Sequence, residues 1–271
     1  FMEVFIMSKV VEFLQANPVQ YLATAGRDGK AKCRPFMFCF EQDGKLWFCT
    51  NNTKDVYYMN NDPIKLTPAF KDYLWGGTKL KTCYNKKSDL DIVAESWELS
   101  CHKDGQSVIT GGEFDGKTLS DYIAAKGKGV LGKNCGRFEY FPVLIKLIDA
   151  KDNLSVQVHP SNEYALRVEG EYGKTEMWYI VDCDPGAELL YGFKHEISKE
   201  EFAERIANNT LLEVTNNVPV HKGDVFFIES GTLHAIGKGI LIAEIQQNSN
   251  TTYRIYDYGR VGKDGKPREL H

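Results

Sequence analysis

Three short stretches of this chain carry side chains able to bind a metal or move a proton. In LSVQVHP the residues at 157 and 159 are Gln and His. Side chains two apart on a strand share a face, so Gln157 and His159 point one way and Val156 and Val158 the other. Burying unpaired polar groups costs about 1–3 kcal/mol each, so two on one face of an apolar strand need a reason. GKTEMWYIV repeats the pattern with Lys174 and Glu176 at the head of a strand, and SGTLHAIGKG sets His234 beside a glycine-rich turn. Taken singly, each has a plainer reading: a hydrogen-bonded core pair, a solvated strand end, a structural histidine. Together, Gln157, His159, Glu176 and His234 are an oxygen and nitrogen donor set suited to one divalent transition metal, with Zn2+ the first choice. Two cations could complete such a site. Lys174 lies beside Glu176, and Arg254, in NTTYRIYDY, offers a rigid fork for phosphate or an enediolate.

These residues must be positioned by strands. The text from about residue 60 is a series of short β-type runs separated by glycine turns. LSDYIAAKG from Leu119 and SKEEFAERIANN from Ser198 interrupt it as helices, the second with Ser198 and Glu201 placed for a capping box. That pattern predicts a mainly β fold, a jelly-roll barrel or sandwich with a few helices. The first 58 residues read differently. A short amphipathic helix over 8–17 precedes β-rich runs joined at Asp28-Gly29 and Asp43-Gly44, which is a short α+β segment. The character changes around 57–63, so the expected division is 1–58 and 59–271. The front part is near the lower size limit for a core of its own.

Composition excludes several classes. The 271 residues carry 33 Lys plus Arg against 37 Asp plus Glu, a net charge of −4. A dedicated nucleic-acid binder would need a basic face. No apolar run reaches the ~18–20 residues that cross a bilayer, and FMEVFIM is a poor signal peptide because it is short and carries Glu3. Phe1 reads as something other than a natural start. The seven cysteines are scattered with no CxxC, which predicts free thiols and a cytoplasmic protein.

From about residue 60 the text resembles the type I phosphomannose isomerases, metal-dependent mannose-6-phosphate isomerases of the cupin superfamily. The resemblance rests on six pieces in order: LTPAFKDYLWGG (66–77), ESWELS (95–100), FPVLIKLIDAKDNLSVQVHP (141–160), GKTEMWYI (173–180), GDVFFIESGTLHAIGKG (223–239) and QQNSNTTYRIYDYGR (246–260). It implies a cupin jelly-roll fold and interconversion of mannose 6-phosphate and fructose 6-phosphate through a cis-enediol. It implies one Zn2+ per chain on Gln157, His159, Glu176 and His234, with Lys174 and Arg254 as the catalytic pair. Ser100 and Lys146 are the expected substrate-binding residues. Family members run on past PRELH (267–271), which implies a truncated C-terminal part. Residues 1–58 instead resemble part of a pyridoxamine-5′-phosphate-oxidase-like FMN-binding split barrel, through VQYLATAGRDGKAKCRPF and GKLWFCTNNTKDVY. There Arg34, Thr50 and Lys54 stand where flavin phosphate contacts fall, and such a segment could also mediate oligomers. The expected partner is a sugar phosphate, with no nucleic acid and no membrane. Two alternatives remain: a non-catalytic metal- or sugar-binding cupin, and a flavoprotein built on the N-terminal segment.

Overall fold

A computed structural model describes residues 11–12, 14–16, 19–25, 31–42, 45–49, 64–262 and 265–271. It divides into two compact units, residues 1–64 with 128–136, and residues 65–127 with 137–271.

In the first unit, residues 11–12 and 14–16 are helical, as the amphipathic pattern predicts. Strands β1 (Val19–Ala25), β2 (Ala31–Gln42) and β3 (Lys45–Cys49) form an antiparallel meander in the order β1-β2-β3. Thr50 and Lys54, the hairpin dipeptide at 28–29 and the side chain of Arg34 lie outside the described residues, and so does the expected boundary at 58–59.

The second unit is mainly β and holds every candidate residue of the isomerase site. Its strands are β4 (Lys65–Thr67), β5 (Ala69–Lys71), β6 (Glu95–Leu99), β7 (Val108–Thr110), β8 (Val143–Ala150), β9 (Val156–Val158), β10 (Glu176–Cys183) and β11 (Glu188–Phe193). They continue with β12 (Thr215–Pro219), β13 (Val225–Ile228), β14 (His234–Ala235), β15 (Ile240–Gln247) and β16 (Tyr253–Tyr256). A six-stranded sheet runs β13-β10-β15-β8-β6-β5 and a five-stranded sheet runs β12-β11-β14-β9-β16. No hydrogen-bonded ladder joins the two among the described residues, so the jelly-roll expectation is met as a sandwich and not as a closed barrel. Among the described residues no helix is long and apolar enough to cross a membrane.

Strand alternation builds a divided interior. In β8, Leu144, Lys146, Ile148 and Ala150 are buried on one face. The register aligns Ile148 with Ile242 and Ile242 with Ile180, an isoleucine row within the main core that also takes Trp75, Leu189 and Ile236. One step along the strands, the register aligns Trp97, Lys146, Glu244 and Trp178. One end of the interior is therefore apolar, and the next row is charged and flanked by two indoles. On the far side of the five-stranded sheet, Val156 and Val158 pack with Leu190, Leu211, Val214 and Ile255 against Phe202 and Ile206. Phe202 and Ile206 belong to the helix Lys199–Ala207, whose N-terminus is capped where Ser198 Oγ accepts the Glu201 amide.

Candidate metal centre and cleft

Strand β9 ends at Val158, with Gln157 facing away from the valine layer and His159 following at 2% exposure. It pairs with β14 through Gln157 and His234, and with β16 through Gln157 and Arg254. Directly opposed residues on neighbouring strands share a face, so one five-stranded sheet presents Gln157, His234 and Arg254 together. The opposite sheet supplies Glu176 from the head of β10. His159, Glu176 and His234 bring one ligating atom each to within 4.8 Å of one another, all buried.

Hydrogen bonding fixes the tautomers. His234 Nδ1 lies 2.8 Å from the Thr232 carbonyl, and His159 Nδ1 3.2 Å from the Thr251 carbonyl. A carbonyl accepts, so each Nδ1 carries the proton and each Nε2 is left with a lone pair. The two Nε2 atoms stand 3.2 Å apart, and Glu176 faces them with Oε2 3.5 Å from His159 and Oε1 3.4 Å from His234. The Lys174 ammonium is 3.0 Å from Glu176 Oε2 and 3.0 Å from His159 Nε2, yet neither Glu176 oxygen accepts a directed hydrogen bond. Lone pairs facing one another in a buried site fit a divalent cation among them, and backbone carbonyls orient the rings as they do around bound metals. The Gln157 amide nitrogen is placed 3.3 Å from His234 Nε2. Turning that amide over presents its oxygen to the same point.

Electrostatics agrees with this reading. Burial, and then the neighbouring Lys174, push His159 down to about 3, so its imidazole stays neutral. Burial likewise lowers His234. For Glu176, burial works against the charge, but the Lys174 ammonium outweighs it and holds the carboxyl well below its ordinary range. Neutral imidazoles and an ionised carboxylate are the states a metal requires.

A cleft of about 250 Å³ opens beside the centre, lined by Gln157, Lys174, Lys146, Glu95, Glu244 and Arg254 among others. Lys146 and Arg254, anticipated from sequence, are therefore on its wall. Ser100 is not: it lies fully buried beyond the end of β6, where its Oγ accepts the His102 amide and its own amide donates to Ser107 Oγ. The strand stops at Leu99, and the turn to Ser107 carries Ser100 into the protein instead of the cleft. Sequence reasoning missed Glu95 and Glu244. Lys146 sits 3.0 Å from Glu244 and 3.6 Å from Glu95, and Lys174 is 3.9 Å from Glu244. Trp178 Nε1 donates to Glu244 at 2.8 Å and Trp97 Nε1 to Glu95 at 2.6 Å. Burial opposes the Lys146 charge, but Glu244 and Glu95 hold it above the lysine range, while burial and the like charge of Glu176 raise Glu244. The available signal was alternation: Glu244 shares the inner face of β15 with Ile242.

Residues 64–182 match the family model for phosphomannose isomerase type I, catalytic domain. The chain is 45% identical over 210 residues to the probable mannose-6-phosphate isomerase GmuF of Bacillus subtilis, covering 77% of this chain and 65% of that protein. It is 44% identical over 214 residues to mannose-6-phosphate isomerase ManA of the same organism, covering 79% and 66%. The crystal structure of the mannose 6-phosphate isomerase from Bacillus subtilis superimposes with a TM-score of 0.73 at 40% identity, over 78% of this chain and 66% of that one. The chain thus spans just under two thirds of the length of these relatives. The comparisons support the isomerase resemblance and give no support to the split-barrel resemblance of residues 1–58. From residue 64 onward, in sequence and in fold, this chain is similar to the type I phosphomannose isomerases.

Proposed function

We propose that the chain interconverts mannose 6-phosphate and fructose 6-phosphate. The observation that carries the reading is the convergence of His159, Glu176 and His234 beside the Lys174 ammonium, in a cleft also lined by Lys146 and Arg254. Gln157, His159, Glu176 and His234 would hold one Zn2+, which supplies Lewis-acid stabilisation of negative charge on the sugar oxygens.

In the reaction the C2 proton of the aldose moves to C1. The O2 hydroxyl proton moves to O1 as the carbonyl shifts from C1 to C2 through a cis-enediol. Lys174 serves ring opening and proton shuttling from its position 3.0 Å from Glu176, where Glu244 keeps a second carboxylate within reach of the ammonium. Arg254, on the strand beside Gln157, stabilises negative charge on the enediolate oxygens or on phosphate. Lys146, fixed between Glu95 and Glu244, presents a permanent positive charge to the bound sugar phosphate. We assign residues 59–271 to this activity and 1–58 to a separate segment able to mediate oligomers. We place the protein in the reducing cytoplasm, consistent with the unpaired thiols of Cys83, Cys101, Cys135 and Cys183.

The test is removal of metal with a chelator and restoration with Zn2+, following fructose 6-phosphate in a coupled assay. Activity should vanish and return. Full activity in metal-free protein, or His234→Ala at wild-type turnover, refutes the assignment. Metal binding without isomerisation would favour the non-catalytic cupin.

A further inference from the structure

The cleft has a fourth cationic group beside Lys146, Lys174 and Arg254, one that the resemblance does not assign. Arg268 lines it together with Arg254, opposite in character to the carboxylate-rich wall of Glu95 and Glu244. Arg268 reaches this place because the C-terminal residues run alongside β16. The His271 amide donates to the Arg254 carbonyl at 2.9 Å, and the Arg254 amide donates to His271 Nδ1 at 3.3 Å.

Charge at this end is unbalanced. Asp257, 4% exposed, accepts Arg268 Nε at 2.7 Å and Nη2 at 3.1 Å, and it also pairs with Arg260. Among the described residues Arg254 has no carboxylate within salt-bridge distance. Its Nη1 donates to the Glu269 carbonyl at 2.9 Å, and its Nε is buried without a hydrogen-bond partner among the described residues. Two guanidinium groups therefore share one buried carboxylate, Asp257, and Arg254 lines the same cleft as Arg268 with the exposed Glu269 offering it only a backbone carbonyl. A buried N–H without an acceptor is costly, and guanidinium pairs match the oxygens of a phosphate group in geometry as well as charge.

We infer that Arg268, held rigid by Asp257, binds the phosphate of the sugar phosphate jointly with Arg254 and sets the preference for phosphorylated over unphosphorylated hexose. This deepens the isomerase reading and rests on it. The bidentate Asp257 contact occupies the Nε and Nη2 side of the fork, so a phosphate in the cleft would be met by the Nη1 edge. Arg268 therefore works as a substrate-binding residue and not as a proton carrier.

The test compares Arg268→Ala and Arg268→Lys with the wild type in three measurements: KM and kcat for mannose 6-phosphate, turnover of unphosphorylated mannose, and calorimetric Kd of inorganic phosphate. Arg268→Ala is expected to raise KM and the phosphate Kd together by about 10- to 100-fold, the range of a charge-assisted pair, with kcat and mannose turnover near wild type. Arg268→Lys keeps the charge but not the fork, so it should fall between the two, and it decides the matter if the alanine variant does not fold. A parallel loss on both sugars would mean that Arg268 only braces Asp257, and it overturns the proposal. So does a phosphate Kd unchanged in both variants, or wild-type protein that binds no phosphate. If the wild type fails to isomerise either sugar, the isomerase reading falls, and the calorimetric arm still decides whether Arg268 binds phosphate.

Discussion

Gly173→Ala should disable the site without touching any of its ligands. A Cβ at 173 would stand 2.4 Å from the Ser161 carbonyl carbon, 2.5 Å from the Asn162 nitrogen and 2.6 Å from the Pro160 oxygen, against 3.4 Å for ordinary contact. The worst of these needs 3.4 − 2.4 = 1.0 Å of separation, and all three atoms are backbone, so no rotamer change supplies it. The two segments are also tied, by Gly173 N to Asn162 Oδ1 at 2.9 Å and Lys174 N to Pro160 O at 3.1 Å. His159 precedes Pro160, and Lys174 and Glu176 follow Gly173, so the methyl acts as a wedge between the two halves of the metal centre. A misplacement of about 1 Å costs on the order of 100-fold in rate, and disturbed ligand orientation about 10- to 100-fold in metal affinity. The assay is kcat/KM for mannose 6-phosphate with a metal titration and a thermal melt beside it. Gly170→Ala is the control. There the space is open and only a φ of +70° opposes the side chain, so it should lose about 1 kcal/mol of stability and keep its activity. Wild-type kcat/KM and metal affinity in Gly173→Ala would refute the reasoning.

Further outcomes follow from the same geometry. Glu244→Gln removes a buried charge shared by Lys146 and Lys174 and should lower stability by about 3–5 kcal/mol, read from the urea midpoint at constant slope. Gly237→Ala would place a methyl 1.9 Å from the Glu188 carbonyl oxygen and should lose about 1–3 kcal/mol in the same measurement, with two backbone segments forced apart. Asp149 accepts the Lys79 amide at 2.7 Å, but burial raises its pKa above the ordinary 3.8. The folded state then takes up the proton before the unfolded one does, so wild type should gain stability relative to Asp149→Asn as pH falls from the folded-state pKa toward 3.8. Urea midpoints of both proteins across that window should converge or cross in the wild type's favour, and a difference independent of pH would contradict the raised pKa.

The part of the site legible in the sequence is the part written by local periodicity. QVH placed Gln157 and His159 on one face because strand side chains alternate, and the alternating valines, Val156 and Val158, do pack in the opposite layer. Glu176 and His234 were legible as polar residues at a strand head and a turn. What could not be read is register. Lys146 meets Glu244 only because β8 and β15 align those residues across 98 positions, and Glu95 joins through β6. Arg268 lay beyond any strand pattern, since it is delivered by a backbone pairing between residue 271 and residue 254. Ser100 lies off the cleft wall because β6 stops at Leu99, an end that nothing in ESWELS marks.

Trp178 is fully buried, donates its indole N–H to Glu244 and packs edge-on against His234 with ring centres 5.4 Å apart. The fold has thus installed a chromophore in van der Waals range of the proposed coordination sphere. Loading or stripping the ion should register in its emission, which gives this protein an intrinsic optical gauge of occupancy that needs no label and no coupled reaction.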